Sequence, residues 1–274
     1  MLKRTVGIAV ACFATLCSVA TAAELPAVPA ALKSAGVLKV GVRCDQPPYG
    51  FKDGQGNFAG IETQIALQIG EWALGSRDKV ELTCVTAENR IPQLLGKKVD
   101  LLLATLGVNP ERARVIDFSD AYRWDGSDVL VRADSPIKKK ADLAGKEVLM
   151  LKGTTQAKWF EDRMPDVKSV RLNATSDALQ SLKQGRSDAW ALDIALLVSI
   201  AKSNPDLRRL NDPFALTDAA AGLRKNEPEM MAYVNAALAR MKAEGLYRKW
   251  AEAVTTPDNL EFYVSGFETP RPAE

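Results

Sequence analysis

Two successive series of alternating strand-like and helix-like segments, with a break near Pro136, limit what this chain can fold into more than anything else in it. The first runs from an apolar strand at Val37 to Val42, through a helix over Ile61 to Leu74, a strand at Val80 to Val85 and a helix at Ile91 to Leu95, to a strand at Val99 to Ala104. The second holds a short helix at Asp142 to Ala144, a strand at Glu147 to Leu151, a helix at Thr155 to Arg163, a strand at Val167 to Leu172, a helix at Ser176 to Gln184 and a strand at Ser187 to Leu192. Strands that alternate with helices lie parallel with the helices crossing over the sheet, so each series predicts one α/β unit. Ser127 to Arg132 and Thr217 to Leu223 read as extended connectors, and amphipathic helices at Pro228 to Ala243 and Tyr247 to Ala253 follow the second unit. Two units joined by two extended strands form a hinged clamp, and ligands in open α/β sheets settle beyond the carboxyl ends of the strands.

The first 23 residues predict the compartment. Lys3 and Arg4 precede an apolar stretch from Val6 to Val19 and a small-residue end at Ala20-Thr21-Ala22-Ala23, the pattern of a cleaved secretory signal. The apolar stretch is short for a membrane anchor and is interrupted by Cys12, Thr15 and Cys17. Leu16 stands where a lipoprotein signal needs a small residue, which favours a free exported protein. Removing 23 of 274 residues leaves 251, and removing two basic and no acidic residues takes the formal charge from +2 to 0. A neutral chain whose longest basic run is Lys138-Lys139-Lys140 gives no footing for nucleic acid or an anionic membrane. Cys44 and Cys84 remain, either paired across neighbouring strands in an oxidising compartment or as two buried thiols.

The turns after the strands carry complementary groups. Arg43, Asp45, Gln46 and Tyr49 follow the first strand; Thr105, Leu106, Gly107 and Arg112 follow the third; Thr154, Thr155 and Asp193 belong to the second unit. In Asn109-Pro110-Glu111-Arg112 an N-cap asparagine and a first-turn proline specify a helix start, where backbone N–H groups and a guanidinium would take a carboxylate. Asp193 suits an ammonium, and the threonines supply adaptable donors and acceptors. An α-amino acid presents that carboxylate and ammonium pair.

The stretches Gly36-Val37-Leu38-Lys39-Val40-Gly41-Val42, Pro47-Pro48-Tyr49-Gly50-Phe51, Asn89-Arg90-Ile91-Pro92, Lys98-Val99-Asp100-Leu101, Asn109-Pro110-Glu111-Arg112 with Asp117-Phe118-Ser119, Gly153-Thr154-Thr155 and Gly185-Arg186-Ser187-Asp188-Ala189 resemble the periplasmic polar-amino-acid-binding proteins of ABC importers, solute-binding protein family 3. The order and spacing of these stretches over nearly the whole mature chain carry the likeness. The resemblance implies an α/β, two-lobed periplasmic-binding-protein-like fold (type II), with two doubly wound sheets joined by a two-strand hinge. Lobe 1 is expected over 24–126 plus 222–274 and lobe 2 over 127–221. It implies that Arg112 grips the α-carboxylate, that Asp193 takes the ammonium, and that Tyr49, Thr105, Leu106, Gly107, Thr154 and Thr155 complete the site. Family members often carry a hydroxyl residue at the place of Gly107. Val40-Gly41-Val42-Arg43, Asn89-Arg90-Ile91-Pro92 and Pro257-Asp258-Asn259-Leu260 look most like the glutamate/aspartate-binding branch, in which arginines matching Arg43 and Arg90 face the side-chain carboxylate.

An enzyme on the same scaffold, such as a cyclohexadienyl dehydratase, is the competing class, and a binder of other polar amino acids is the competing ligand reading. The chain has no histidine and no evident nucleophile–base pair, leaving Glu62 or Glu88 as the candidates for a general acid. The sequence therefore predicts a monomeric periplasmic binding protein without cofactor or metal, working with an ABC permease of the inner membrane and its ATPase.

Overall fold

The computed structural model describes residues 24–273; the expected secretory signal lies outside the described residues. Helix α1 (Ala30–Ala35) leads into β1 (Leu38–Val42), followed by a small antiparallel sheet of β2 (Asp45–Gln46), β3 (Gly50–Lys52) and β4 (Phe58–Ala59). Then come α2 (Ile61–Leu74), β5 (Val80–Cys84), α3 (Arg90–Leu95), β6 (Leu101–Leu103), α4 (Pro110–Ala113) and the long β7 (Asp117–Arg132). The second unit has β8 (Glu147–Leu151), α5 (Thr155–Arg163), β9 (Lys168–Leu172), α6 (Thr175–Lys183), β10 (Ala189–Asp193), α7 (Ile194–Ser203) and β11 (Leu207–Arg209). The chain returns along β12 (Phe214–Leu223) and ends in α8 (Pro228–Ala243), α9 (Leu246–Val254) and α10 (Pro257–Glu268).

Parallel pairing joins β1 to β5 and β6 in one lobe and β8 to β9 and β10 in the other. These strands read as continuous apolar runs because helices cover both faces: Leu101, Leu102 and Leu103 are fully buried, and α2 turns Ile61, Ile65 and Ile69 onto the same core. The sheets of the two lobes are joined edge to edge through the two hinge strands. β12 and β7 pair antiparallel with each other and with strands of both lobes, giving the continuous order β5-β1-β6-β12-β7-β10-β8-β9. The expected lobe boundaries at 126/127 and 221/222 thus fall inside hydrogen-bonded strands. The β7–β12 register slips between Phe214 and Thr217, between Ala219 and Ala220, and between Ala220 and Gly222.

Cys44, just past β1, and Cys84, the last residue of β5, form a disulfide with Cα atoms 5.5 Å apart. Parallel register sets Val42 opposite Cys84 and so brings the two sulfurs within reach. Helix α10 lies behind the hinge: Phe267 stacks on Tyr122 and Tyr247, the Tyr263 hydroxyl donates to the Ala195 carbonyl at 3.0 Å, and Trp124 Nε1 donates to the Thr269 carbonyl at 3.0 Å.

Candidate functional site

One wall of the cleft is built where β1 and β6 end. Thr105 has φ +48°, a left-handed conformation that a β-branched residue adopts only when its surroundings hold it there. Its N–H donates to Glu62 Oε2 at 2.9 Å, its hydroxyl donates to Gln46 Oε1 at 2.6 Å, and its carbonyl accepts from Arg90 Nη1 at 3.0 Å. Glu62 also accepts from the Tyr122 hydroxyl at 2.6 Å and lies 3.7 Å from Arg123 Nε. Asn109 caps α4 as expected, accepting the Arg112 N–H at 2.8 Å, with Pro110 at the first helical position. That cap uses a backbone donor the sequence had left for an anion, so anion binding at this turn falls to the guanidinium. Arg112 Nη1 donates to the Gly107 carbonyl, while Nη2 reaches across the cleft to the Gly153 carbonyl at 2.8 Å, which Arg90 Nη2 also approaches at 3.4 Å.

The opposite wall comes from the turns after β8 and β10. Thr154 caps α5, and its hydroxyl donates to the Leu151 carbonyl at 2.7 Å, whereas Thr155 Oγ1 has only a 3.5 Å contact to Gln156. Asp193 precedes α7 without capping it. Its carboxylate accepts from Gln156 Nε2 at 2.7 Å, and the same nitrogen donates to Ser127 Oγ at 2.8 Å. Alternation along β7 puts Arg123, Asp125 and Ser127 on one strand face.

Four guanidiniums gather here. Arg43 is held by Asp45 through Nε at 3.0 Å and Nη2 at 2.8 Å, leaving Nη1 buried with no partner. Arg123 pairs with Asp125 at 3.4 Å and Glu62, stacks 3.9 Å above the Tyr49 ring, and has its proton affinity raised by Tyr49 and these carboxylates despite burial. Burial, then the charges of Arg112 and Arg43, lowers the proton affinity of Arg90; burial pulls Arg112 down to about 10 against the pull of Asp193. Burial and the nearby Asp193 push the Asp125 carboxyl up to about 7.

Arg43, Arg90, Thr105, Gly107, Arg112, Thr154, Thr155 and Asp193 all line one cleft, nearly filled by its own side chains, with a cavity of about 20 Å³. Two expected residues do not. Tyr49 is buried beneath Arg123 against Tyr263 and Phe267, and Leu106 packs into the core with Leu94, Leu102 and Ile116. Arg123, Asp125 and Thr217 lie outside the turns expected to form the site, and Gln46 and Gln156 lie within those turns without an expected role; all five line the cleft. The alternation Arg123, Asp125, Ser127 was the available signal, hidden because the connector was read as starting at Ser127. A Cβ on Gly107 would meet Thr217 Cγ2 at 2.7 Å and Thr155 Cγ2 at 3.3 Å, so the packed cleft leaves little room for a side chain at this position. Of the two candidate acids, Glu62 is held inside by Tyr122 and Thr105, and Glu88 is half exposed beside Lys152.

The two lobes thus set Arg112 on one wall of the cleft and Asp193 on the other. The chain belongs to the bacterial extracellular solute-binding proteins, family 3, whose profile matches residues 38–254. It is 31% identical to the ABC transporter glutamine-binding protein GlnH of Bacillus subtilis over 227 residues, covering 81% of this chain and 83% of that one. It superposes on the solute receptor for L-cysteine of Neisseria gonorrhoeae with a TM-score of 0.81 at 34% identity, over 85% of this chain and 95% of that one. The glutamate/aspartate import solute-binding protein of Salmonella typhimurium is 28% identical over 226 residues, 78% of this chain and 75% of its own. The chain is thus an extracellular solute-binding protein of family 3 with a two-lobed periplasmic-binding-protein-like fold.

Proposed function

We propose that the exported protein captures a small polar α-amino acid with an uncharged side chain in the periplasm and presents it to an inner-membrane ABC permease powered by a separate ATPase. In this reading Arg112 takes the α-carboxylate and Asp193 the ammonium. The observation that carries it is the charge balance of the cleft. Arg43, Arg90, Arg112 and Arg123 are matched by Asp45, Glu62, Asp125 and Asp193, so a ligand of zero net charge leaves the site neutral. Glutamate and aspartate, the ligands expected from the sequence, need Arg43 as a free cation. Asp45 neutralises it, and Nη1 remains as a donor equally suited to an amide oxygen. Names carried by relatives for glutamine and cysteine support the same direction.

One observation favours an acidic ligand as the second reading. With its carboxyl raised to about 7, Asp125 is largely neutral in mildly acidic solution, which leaves the cleft one positive charge in excess. Calorimetry with L-glutamine, L-cysteine, L-glutamate and L-aspartate at pH 8 and pH 6 tests both readings. Tighter binding of glutamine or cysteine at pH 8 is expected; preference for an acidic amino acid at pH 8 overturns the neutral-ligand reading. Strongly weakened binding in Arg112→Ala is expected if the zwitterion sits across Arg112 and Asp193.

A further inference from the structure

Asp45 does two things that ordinarily belong to different residues. Its carboxylate grips the Arg43 guanidinium through three hydrogen bonds of 2.8 to 3.0 Å, and its Oδ2 also accepts the backbone N–H of Thr175 at 3.2 Å. Thr175 is the first residue of α6, in the opposite lobe. The residue in the N-cap position of that helix is Ala174, which has no side-chain oxygen and makes no cap. A helix start needs an acceptor for its free N–H groups and favours negative charge, so Asp45 supplies from lobe 1 the cap that lobe 2 lacks.

At its other end the pair reaches the ligand. Arg43 is fully buried, lines the cleft, and keeps Nη1 without a partner. Resting on the proposed function above, we infer that Asp45 is a positioning residue that couples ligand capture to closure: an acceptor on the ligand side chain fixes Arg43, Arg43 fixes Asp45, and Asp45 caps α6 only when the lobes meet. Ligand side chains without an acceptor leave Arg43 free to turn and the cap unsteady. Selectivity is then expressed in how long the clamp stays shut, since a ligand shifts a conformational equilibrium only through its difference in affinity for the two states.

Two substitutions separate the halves of this link. Asp45→Asn keeps the shape and one acceptor but removes the charge from α6. Thr175→Pro deletes the N–H without touching Arg43, at a first helical position where proline is favoured and after a residue already extended at φ −115°, ψ 145°. Thr175→Val keeps the N–H and serves as control. The probe is whichever of L-glutamine, L-cysteine and L-glutamate binds the wild type most tightly, followed by stopped-flow tryptophan fluorescence. Each of the two variants is expected to raise the dissociation rate about ten-fold, the size of one charge-assisted hydrogen bond, with association unchanged within two-fold. The double variant is expected to add little to either, and Thr175→Val to match wild type.

If Thr175→Pro leaves the dissociation rate within two-fold of wild type, Asp45 acts on Arg43 alone and the coupling is wrong. If Asp45→Asn leaves it unchanged, the proline ring alone caused the effect and the coupling is equally wrong. Should no amino acid of the panel bind, the proposed function fails. The coupling is then judged on the ligand-free protein, by spin-label distances between the lobes: both variants must lower the closed fraction, and equal fractions overturn it.

Discussion

Gly153→Ala isolates closure from ligand contact. Gly153 has φ +72°, and a Cβ there would stand 2.5 Å from the Ala87 carbonyl oxygen, 2.9 Å from its carbon and 3.0 Å from Glu88 Cα, all backbone of the opposite lobe. Alanine in a left-handed conformation costs about 1 kcal/mol whether the clamp is open or shut, so it lowers the melting temperature of the free protein modestly. The clash exists only when the lobes meet. To bring the contact to a tolerable 3.0 Å the lobes must part there by about half an ångström. The Arg112 Nη2 bond to the Gly153 carbonyl, now 2.8 Å, then lengthens towards the limit, and the 3.4 Å bond from Arg90 is lost. Losing charge-assisted bonds of this kind costs about 1.5–3 kcal/mol, or roughly 10- to 150-fold in affinity. Calorimetry with the best amino acid should show that loss. Scattering at saturation should show a radius of gyration larger than that of liganded wild type. If affinity stays within three-fold while the melting temperature falls, the closed interface described here is not the one the ligand stabilises.

Arg112→Ala leaves Asp193 facing the ligand ammonium but strands the α-carboxylate; a loss of about 2–5 kcal/mol of binding is expected by calorimetry. Asp125, raised to about 7 in the folded protein from 3.8, binds a proton more tightly folded than unfolded, so its contribution to stability is full below pH 3.8 and fades as pH rises through 7. A ligand ammonium in the cleft favours its ionised form, so binding near pH 6.5 should release protons, read from the buffer dependence of the calorimetric enthalpy, and Asp125→Asn should abolish the release. Cys84→Ser opens the 40-residue loop closed by the disulfide and should destabilise the protein by roughly 2–5 kcal/mol in urea titration.

The fold was legible where burial enforced periodicity. The apolar runs at Leu38–Val42, Leu101–Leu103 and Glu147–Leu151 and the helices over Ile61–Leu74, Thr155–Arg163 and Pro228–Ala243 lie where the sequence puts them. Helix α7 and helix α10 were missed. The first is nearly uniformly apolar, and Ile194–Ser203 lies close behind a strand of the same character; the second follows Thr255-Thr256-Pro257 and looks like a tail. The full length of the hinge strand β7 was hidden because it begins with Asp117, Ser119 and Asp120, polar residues that carry little strand propensity. For the site, most residues of the turns after strands line the cleft, but Tyr49 and Leu106 turn inward. Sequence order identifies a turn, not the direction of each side chain within it.

The hinge is a two-stranded ribbon whose ladder is already irregular. Between Phe214 and Gly222 the pairing of β12 with β7 shifts three times, so bending there breaks few regular hydrogen bonds. Helix α10 crosses the back of that ribbon and is fastened to α7 through Tyr263 and to β7 through Trp124, which keeps the rear edge together while the front parts. The joint is built like a book with a soft spine and a glued back cover. Bending at the front of the ribbon would break few regular hydrogen bonds, while opening at the back would have to break the contacts of α10.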